Sequence, residues 1–360
     1  MARTPFPVPF GWYQVCWPDE LEPGGVLPLY YFERDLVLWR DADGTHHLQD
    51  AMCPHLGGHL GHGGHVEACE IMCPFHGWKF DAEGNNSDIP YSERVNRAAR
   101  LRTYPVIERN GVVLAWYHPF EEPPMWEVPE VEEFSDPEQW SDTATRVVPI
   151  PAAWQEIAEN SVDLAHFRYV HNTDIVPEAR RYETDGPHAI VRTVQKFVTP
   201  KGVVDGNIDI DQYGPGFSVI RFHGIVDTVL LGCNTPVTSD STELRYSFRV
   251  RRFDDDATTS RVGEAFIDEV TQQVIEDLPI WKYKGHVTRP ALADTDGPYL
   301  KFRKWAAQFY AEDVVLDRAV YPPDPPATSH PPVEGVVKLT ASSRLKGEDQ
   351  VHADMMTGPT

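Results

Sequence analysis

Two short stretches constrain this chain more than anything else in its 360 residues: Cys53-Pro54-His55 and Cys73-Pro74-Phe75-His76. Together they read C-x-H, 17 intervening residues (56 to 72), then C-x-x-H. Two thiolates and two imidazoles on paired loops can hold either a zinc ion or an iron–sulfur cluster. Each half offers one Cys and one His, so one iron can take both sulfurs and the other both nitrogens. A proline after each cysteine fixes φ and tightens the turn. Gly57, Gly58, Gly61, Gly63, Gly64 and Gly77 permit close backbone approach around them. Structural zinc sites more often use C-x2-C and H-x3-H spacings. The pattern therefore favours a cluster, with Cys53, His55, Cys73 and His76 as its expected ligands. His59, His62 and His65 crowd the same loop and read as exposed loop residues, and Cys16 and Cys233 as core thiols.

Charge and length exclude several alternatives. Thirty-two Lys+Arg against 55 Asp+Glu gives 32 − 55 = −23. Such a surface repels phosphate backbones and anionic lipid, so nucleic acid and membrane headgroups are poor partners. Apolar runs such as Val112 to Tyr117 are strand-sized, far below the roughly 18 residues of a membrane helix. Met1 to Phe10 carries three prolines and no apolar core, unlike a secretory signal. Five cysteines do not resemble a secreted disulfide framework. The expectation is a soluble cytoplasmic protein whose special cysteines bind metal.

The texture divides the chain into two units. Residues 10–118 read as short strands, among them Val26–Tyr31, Leu36–Arg40, Lys79–Phe80 and Val112–Tyr117, with turn signals at Asp43-Gly44 and Asn110-Gly111. Pro119 to Pro137, rich in Pro and Glu, reads as a linker or exposed connection. Residues 119–320 read as α+β: a helical stretch (154–171), β-rich sequence (188–252), a long helix (about 263–284) and another near 300–310. Residues 321–360 form a Pro-rich, then polar, tail.

A second constellation lies in the larger unit. Asp163, His166 and His171 read D-x2-H-x4-H, and two histidines with a carboxylate form the open facial triad of non-heme Fe(II) sites. Histidines five apart diverge by about 140° on a regular helix, so they converge only if the helix ends, tightens or bulges between them. The third ligand must come from elsewhere, and the long helix supplies one. With Val270 at zero and about 100° per residue, Phe266, Val274 and Trp281 fall near −40°, +40° and +20°, and Asp277 near −20°. Glu276, Glu269 and Asp268 fall near −120°, −100° and 160°, at the edge of that apolar stripe or outside it. A buried carboxylate is costly unless paired or metal-bound, which selects Asp277.

The C-P-H…C-P-F-H-G-W motif resembles the Rieske [2Fe–2S] fingerprint. The positions of the additional disulfide of respiratory Rieske proteins are here Gly58 and Phe75, which resembles the oxygenase or ferredoxin branch. Over residues 10 to 312 the chain resembles the oxygenase component of Rieske non-heme iron oxygenases, most closely 3-ketosteroid 9α-hydroxylases and more distantly cholesterol 7-desaturases. The stretches that carry this are Asp163-Leu-Ala-His166-Phe-Arg-Tyr-Val-His171, Glu276-Asp277-Leu-Pro-Ile-Trp281-Lys and Arg303-Lys-Trp305-Ala-Ala-Gln-Phe-Tyr310. The resemblance implies an N-terminal all-β Rieske domain and a helix-grip catalytic domain around an apolar pocket. It implies His166, His171 and Asp277 as ligands of a mononuclear Fe(II), Asp163 as a carboxylate bridging to a cluster histidine of a neighbouring subunit in a homotrimer, and Asn160 near the iron. It further implies O2 as co-substrate, a hydrophobic, steroid-like substrate and a ferredoxin or flavin/iron–sulfur reductase. No dinucleotide fingerprint is present, since Gly214-Pro-Gly216 lacks the third glycine and its context, so NAD(P)H would act only through that reductase. Arg94, Arg97, Arg100 and Arg102 form a candidate basic docking patch for it. The longer loop between His65 and Cys73, and the segment Asn172 to Pro187, depart from the steroid hydroxylases. A sterol desaturase, an aromatic-ring dioxygenase and a pure electron carrier are the competing readings; three irons per chain against two separate an oxygenase from a carrier.

Overall fold

In the computed structural model, which describes residues 6–173, 175–199, 202–224 and 226–311, the chain starts with β1 (Gly11–Cys16). Three small sheets follow from the first 117 residues. One has the order β1-β11-β10, with β10 (Val106–Arg109) and β11 (Val112–Tyr117). A second joins β2 (Val26–Tyr31), β3 (Arg34–Arg40), β4 (His46–Asp50) and β9 (Thr103–Tyr104). The third joins β5 (His65–Glu67), β6 (Glu70–Met72), β7 (Lys79–Phe80) and β8 (Asn86–Asp88).

Alternation along the strands explains how these sheets stack. Successive side chains point to opposite faces. Trp12, Leu114 and Trp116 enter one core with Trp154, Leu231 and Phe302, while Tyr13, Val15, Val113 and Ala115 enter another with Leu36, Leu38 and Leu48. β1 and β11 are thus buried on both faces, which is why they read as unbroken apolar runs. β3 repeats the device: Leu36 and Leu38 face that second core, and Val37 and Trp39 face a third that holds Cys53, Cys73 and Trp78. The turns at Asp43-Gly44 and Asn110-Gly111 form as expected, with positive φ at Gly44, Asn110 and Gly111.

The larger unit is one antiparallel sheet in the order β12-β18-β17-β16-β15-β14-β13. Its strands are β12 (Ala144–Ile150), β13 (Glu178–Asp185), β14 (His188–Thr199), β15 (Gly202–Tyr213), β16 (Ser218–His223), β17 (Thr228–Thr238) and β18 (Ser241–Val250). A 28-residue helix, α3 (Asp256–Tyr283), packs across β12 and β18. Asp255 caps it by accepting from Thr258 N–H at 2.8 Å. Gly263 lets it approach, since a Cβ there would lie 2.9 Å from Val250. α4 (Tyr299–Ala306) buries Phe302 and Trp305.

Two expectations are corrected. Residues 154–171 are not one helix but α1 (Trp154–Ala158), a 3₁₀ turn (Glu159–Ser161) and α2 (His166–Tyr169). The Pro- and Glu-rich segment is an exposed connection rather than a linker: it is largely exposed but pinned, since Trp12 Nε1 donates to Trp126 O at 2.8 Å and Val128 and Val131 are core residues. Its aromatic and β-branched residues pin it although its composition is polar. Among the described residues no helix is long and apolar enough to cross a membrane. The expected tail lies outside the described residues.

Candidate metal centres and substrate cavity

The two cysteine loops are built alike. Gly57 N–H donates to Cys53 O at 2.9 Å and Gly77 N–H to Cys73 O at 3.0 Å. Both glycines have left-handed φ, +73° and +72°, a conformation that few other residues adopt without strain. Gly58 stands so close that a Cβ would lie 3.0 Å from Cys73 Sγ, pressing on that sulfur. Cys53 and Cys73 are free, buried and within hydrogen-bonding reach of each other. Burial first, then the neighbouring thiol, push Cys53 up to about 11. The His55 and His76 rings sit 4.7 Å apart, and buried His76 Nδ1 has no hydrogen-bond partner among the described residues. Two adjacent thiols and an orphaned imidazole nitrogen are costly as they stand. A metal cluster taking both sulfurs and both rings would relieve each of them, so these residues fit the group.

The second centre forms because the helix breaks. α2 ends at Tyr169, and Asn172 takes φ +54° immediately after His171, turning His171 back beside His166. The rings lie 5.1 Å apart. One ligating atom each from His166, His171 and Asp277 falls within 4.8 Å of the others. His166 Nδ1 is engaged by Asp163 O at 2.6 Å and His171 Nδ1 by Glu276 Oε2 at 2.9 Å. Both rings are therefore left to present Nε2, and His171 Nε2 lies 3.6 Å from Asp277 Oδ1. Asn160 Nδ2 donates to Asp277 Oδ2 at 3.1 Å, which leaves Oδ1 free. Burial raises the Asp277 carboxyl above its ordinary range. A cation bound by the three residues would offset that cost, so this set also fits a metal.

Asp163 stands at the edge of this centre. Its Oδ1 accepts from His166 N–H at 3.2 Å, and the Tyr299 hydroxyl also hydrogen-bonds its carboxylate. Its side chain keeps 29% of its surface exposed. Gly297 allows α4 to begin so close by, because a Cβ there would collide with Val162 O.

His166, His171, Asn160 and Asp277 open into a cavity of about 180 Å³ between α3 and the sheet. Its wall is apolar at Ile208, Ile210, Ile220, Phe222 and Leu230 and polar at Gln212 and Asn234. Among the described residues, buried Gln212 Oε1 and Asn234 Oδ1 have no hydrogen-bond partner. Sequence reasoning missed both amides, and also Glu276. The available signal was the inward alternation Ile208, Ile210, Gln212 along β15.

A paired-loop thiolate–imidazole site joined to a two-histidine, one-carboxylate centre defines a two-centre non-heme iron oxygenase. The comparisons agree. A Rieske [2Fe–2S] domain model matches residues 11–105, and a 3-ketosteroid 9α-hydroxylase C-terminal domain model matches residues 115–310. A 3-ketosteroid-9-alpha-monooxygenase oxygenase component of Rhodococcus rhodochrous is 30% identical over 85% of each chain. A cholesterol 7-desaturase of Caenorhabditis elegans is 31% identical over 85% of this chain and 77% of that one. In fold, the chain is similar to dicamba monooxygenase bound to 3,6-dichlorosalicylic acid, with a TM-score of 0.67, 20% identity, and 83% and 96% of the two chains covered. The chain belongs to the 3-ketosteroid 9α-hydroxylase oxygenase family of Rieske non-heme iron oxygenases. Its cofactors are a Rieske cluster and a mononuclear iron.

Proposed function

We propose that the chain is the terminal oxygenase of a multicomponent monooxygenase, which inserts one atom of O2 into a C–H bond of a 3-ketosteroid-like polycycle. Electrons would come from NAD(P)H through a separate reductase. The observation that carries this reading is the cavity itself: an apolar wall with two amide oxygens that have no partner among the described residues, opening on three converged ligand side chains. An apolar ring system with one or two oxygen substituents matches that distribution, a hydroxyl donating to an amide oxygen and a keto oxygen accepting from an amide turned to present its NH2, because buried polar groups need partners.

In this reading Cys53, His55, Cys73 and His76 hold the cluster, and His166, His171 and Asp277 hold the iron. Bound iron supplies the means to reduce O2. The remaining work falls to the protein. Asp163 O and Glu276 fix the orientation of the two imidazoles, and Asn160 fixes that of Asp277. The Ile and Phe wall excludes water from the reacting C–H bond. Asp163, half-buried and beside His166, would accept a hydrogen bond from a neighbouring subunit's cluster histidine in a homotrimer; its partly exposed carboxylate supports this reading. The division near residue 118 follows the end of the small sheets at Tyr117 and the start of the large one at Ala144.

The test incubates iron-replete protein with a surrogate reductase, NADH and androstenedione, and reads product mass. A gain of one oxygen, coupled to NADH use and lost in Asp277→Ala with the cluster intact, is expected. A loss of two hydrogens would favour the sterol desaturase reading, which the 31% identical relative supports. No turnover with three irons per chain would overturn the 3-ketosteroid substrate.

A further inference from the structure

The segment 90–100 stands apart electrostatically from the rest of the chain. It holds Arg94, Arg97 and Arg100 against Glu93, a local balance of 3 − 1 = +2 within a chain of net charge −23. All three arginines are exposed, and among the described residues none pairs with a carboxylate. Arg100 reaches only Glu83 O, at 3.4 Å, and the nearby Asp88 lies 3.9 Å from Lys79 Nζ. Arg102 does not share this surface: its guanidinium donates to His118 O and lies over the Tyr104 ring.

The segment is also wired to the cluster loops. Asn86 and Asn96 anchor it, with Asn96 N–H donating to Asn86 Oδ1 at 2.9 Å. Gly77, next to His76, packs on Pro90, where a Cβ would lie 3.0 Å from the proline ring. Tyr91 is 63% exposed, yet its hydroxyl accepts from Trp78 Nε1 at 2.7 Å. The Trp78 ring in turn stacks on His55 at 4.4 Å and 6°. Surface and cluster ligand are therefore joined through one hydrogen bond and one stacked pair.

We propose that residues 90–100 form the docking surface for an acidic iron–sulfur electron donor, and that Tyr91 and Trp78 carry each electron from that surface to His55. This rests on the cluster-ligand reading above. The donor loses one electron and the oxidised cluster gains it, with no bond made or broken. Charge complementarity argues for an acidic partner: within a chain of net charge −23 this segment presents three guanidinium groups in seven residues, 94 to 100, beside the exposed apolar side chains of Tyr91 and Val95.

The experiment uses the holoprotein and a photoreduced, acidic plant-type [2Fe–2S] ferredoxin, and follows cluster bleaching by stopped flow. The second-order rate should fall steeply between about 20 mM and 500 mM salt as screening shortens. Arg94→Ser/Arg97→Ser/Arg100→Ser should lower it about tenfold at low salt and converge with wild type at high salt. Arg97→Glu alone should act in the same direction, while bleaching by dithionite and sedimentation stay unchanged. A salt-independent rate, a variant equal to wild type, or no reduction by this donor of a cluster that dithionite reduces would each overturn the proposal. So would a variant whose assembly mass changes, since the segment would then be a subunit contact. A chain lacking the cluster spectrum would instead sink the ligand reading.

Discussion

Glu276 and His171 are 105 positions apart in sequence and 2.9 Å apart in space. Helical periodicity placed Asp277 on the buried stripe, and the structure agrees, since Val274, Asp277 and Trp281 are buried on one face of α3. The same arithmetic put Glu276 off that stripe, and so hid its use. The flank of a helix becomes a ligand-orienting position only when another segment folds against it. A carboxylate holding the far nitrogen of a ligating imidazole typically contributes about 10–100-fold in metal affinity. Glu276→Gln should therefore weaken Fe(II) binding by about that factor and leave the visible spectrum of the cluster unchanged. An unaltered iron dissociation constant would show that His171 is oriented without it.

At the scale of elements, α1 explains how the site is held. Its residues from Trp154 to Ala158, and Glu159 after them, are all buried, and two of them are acids. Arg303 grips Glu159 with Nε at 2.7 Å and a terminal nitrogen at 3.1 Å. Glu156 Oε1 meets His286 Nδ1 at 2.7 Å, and Lys284 Nζ lies 2.8 Å from Oε2 as an ion pair poorly angled for a hydrogen bond. These pairs tie the turn bearing Asn160 to α4 and to the end of α3. Burial opposes ionisation of Glu156, but His286 and Lys284 outweigh it and bring the carboxyl down to about 2. A group whose folded value lies below its unfolded one stabilises fully above the unfolded value and loses that contribution as pH falls through the folded one. The window here runs from about pH 4.5 to 2. Glu156→Gln should cost about 3 kcal/mol at pH 7, and its melting temperature should fall less than wild type between pH 5 and 3. Parallel pH profiles for the two proteins would remove Glu156 from the account.

For the whole molecule, two sets of exposed apolar side chains need explaining. Leu56 and Phe75 crown the cluster loops, and Tyr169, Ile280, Tyr283 and Leu300 lie on the helices that carry or flank the second centre. Sedimentation equilibrium should give three times the 40.8 kDa chain mass, and Leu56→Asp/Phe75→Asp should shift it toward monomer. A wild-type monomer that still turns over would exclude transfer between subunits. The sequence by itself determined which atoms can bind metal, because thiolate and imidazole spacing is covalent, and which face of α3 turns inward, because periodicity is local. It also determined the strands and turns whose alternation is local, such as Val26–Tyr31 and Asn110-Gly111. Only the tertiary structure decided that the helix breaks between Asn160 and His171, which carboxylate steadies which histidine, and that Gln212 and Asn234 share one wall. Those outcomes depend on contacts between segments from about twenty to more than a hundred residues apart, set by competition for space and hydrogen bonds in one packed interior.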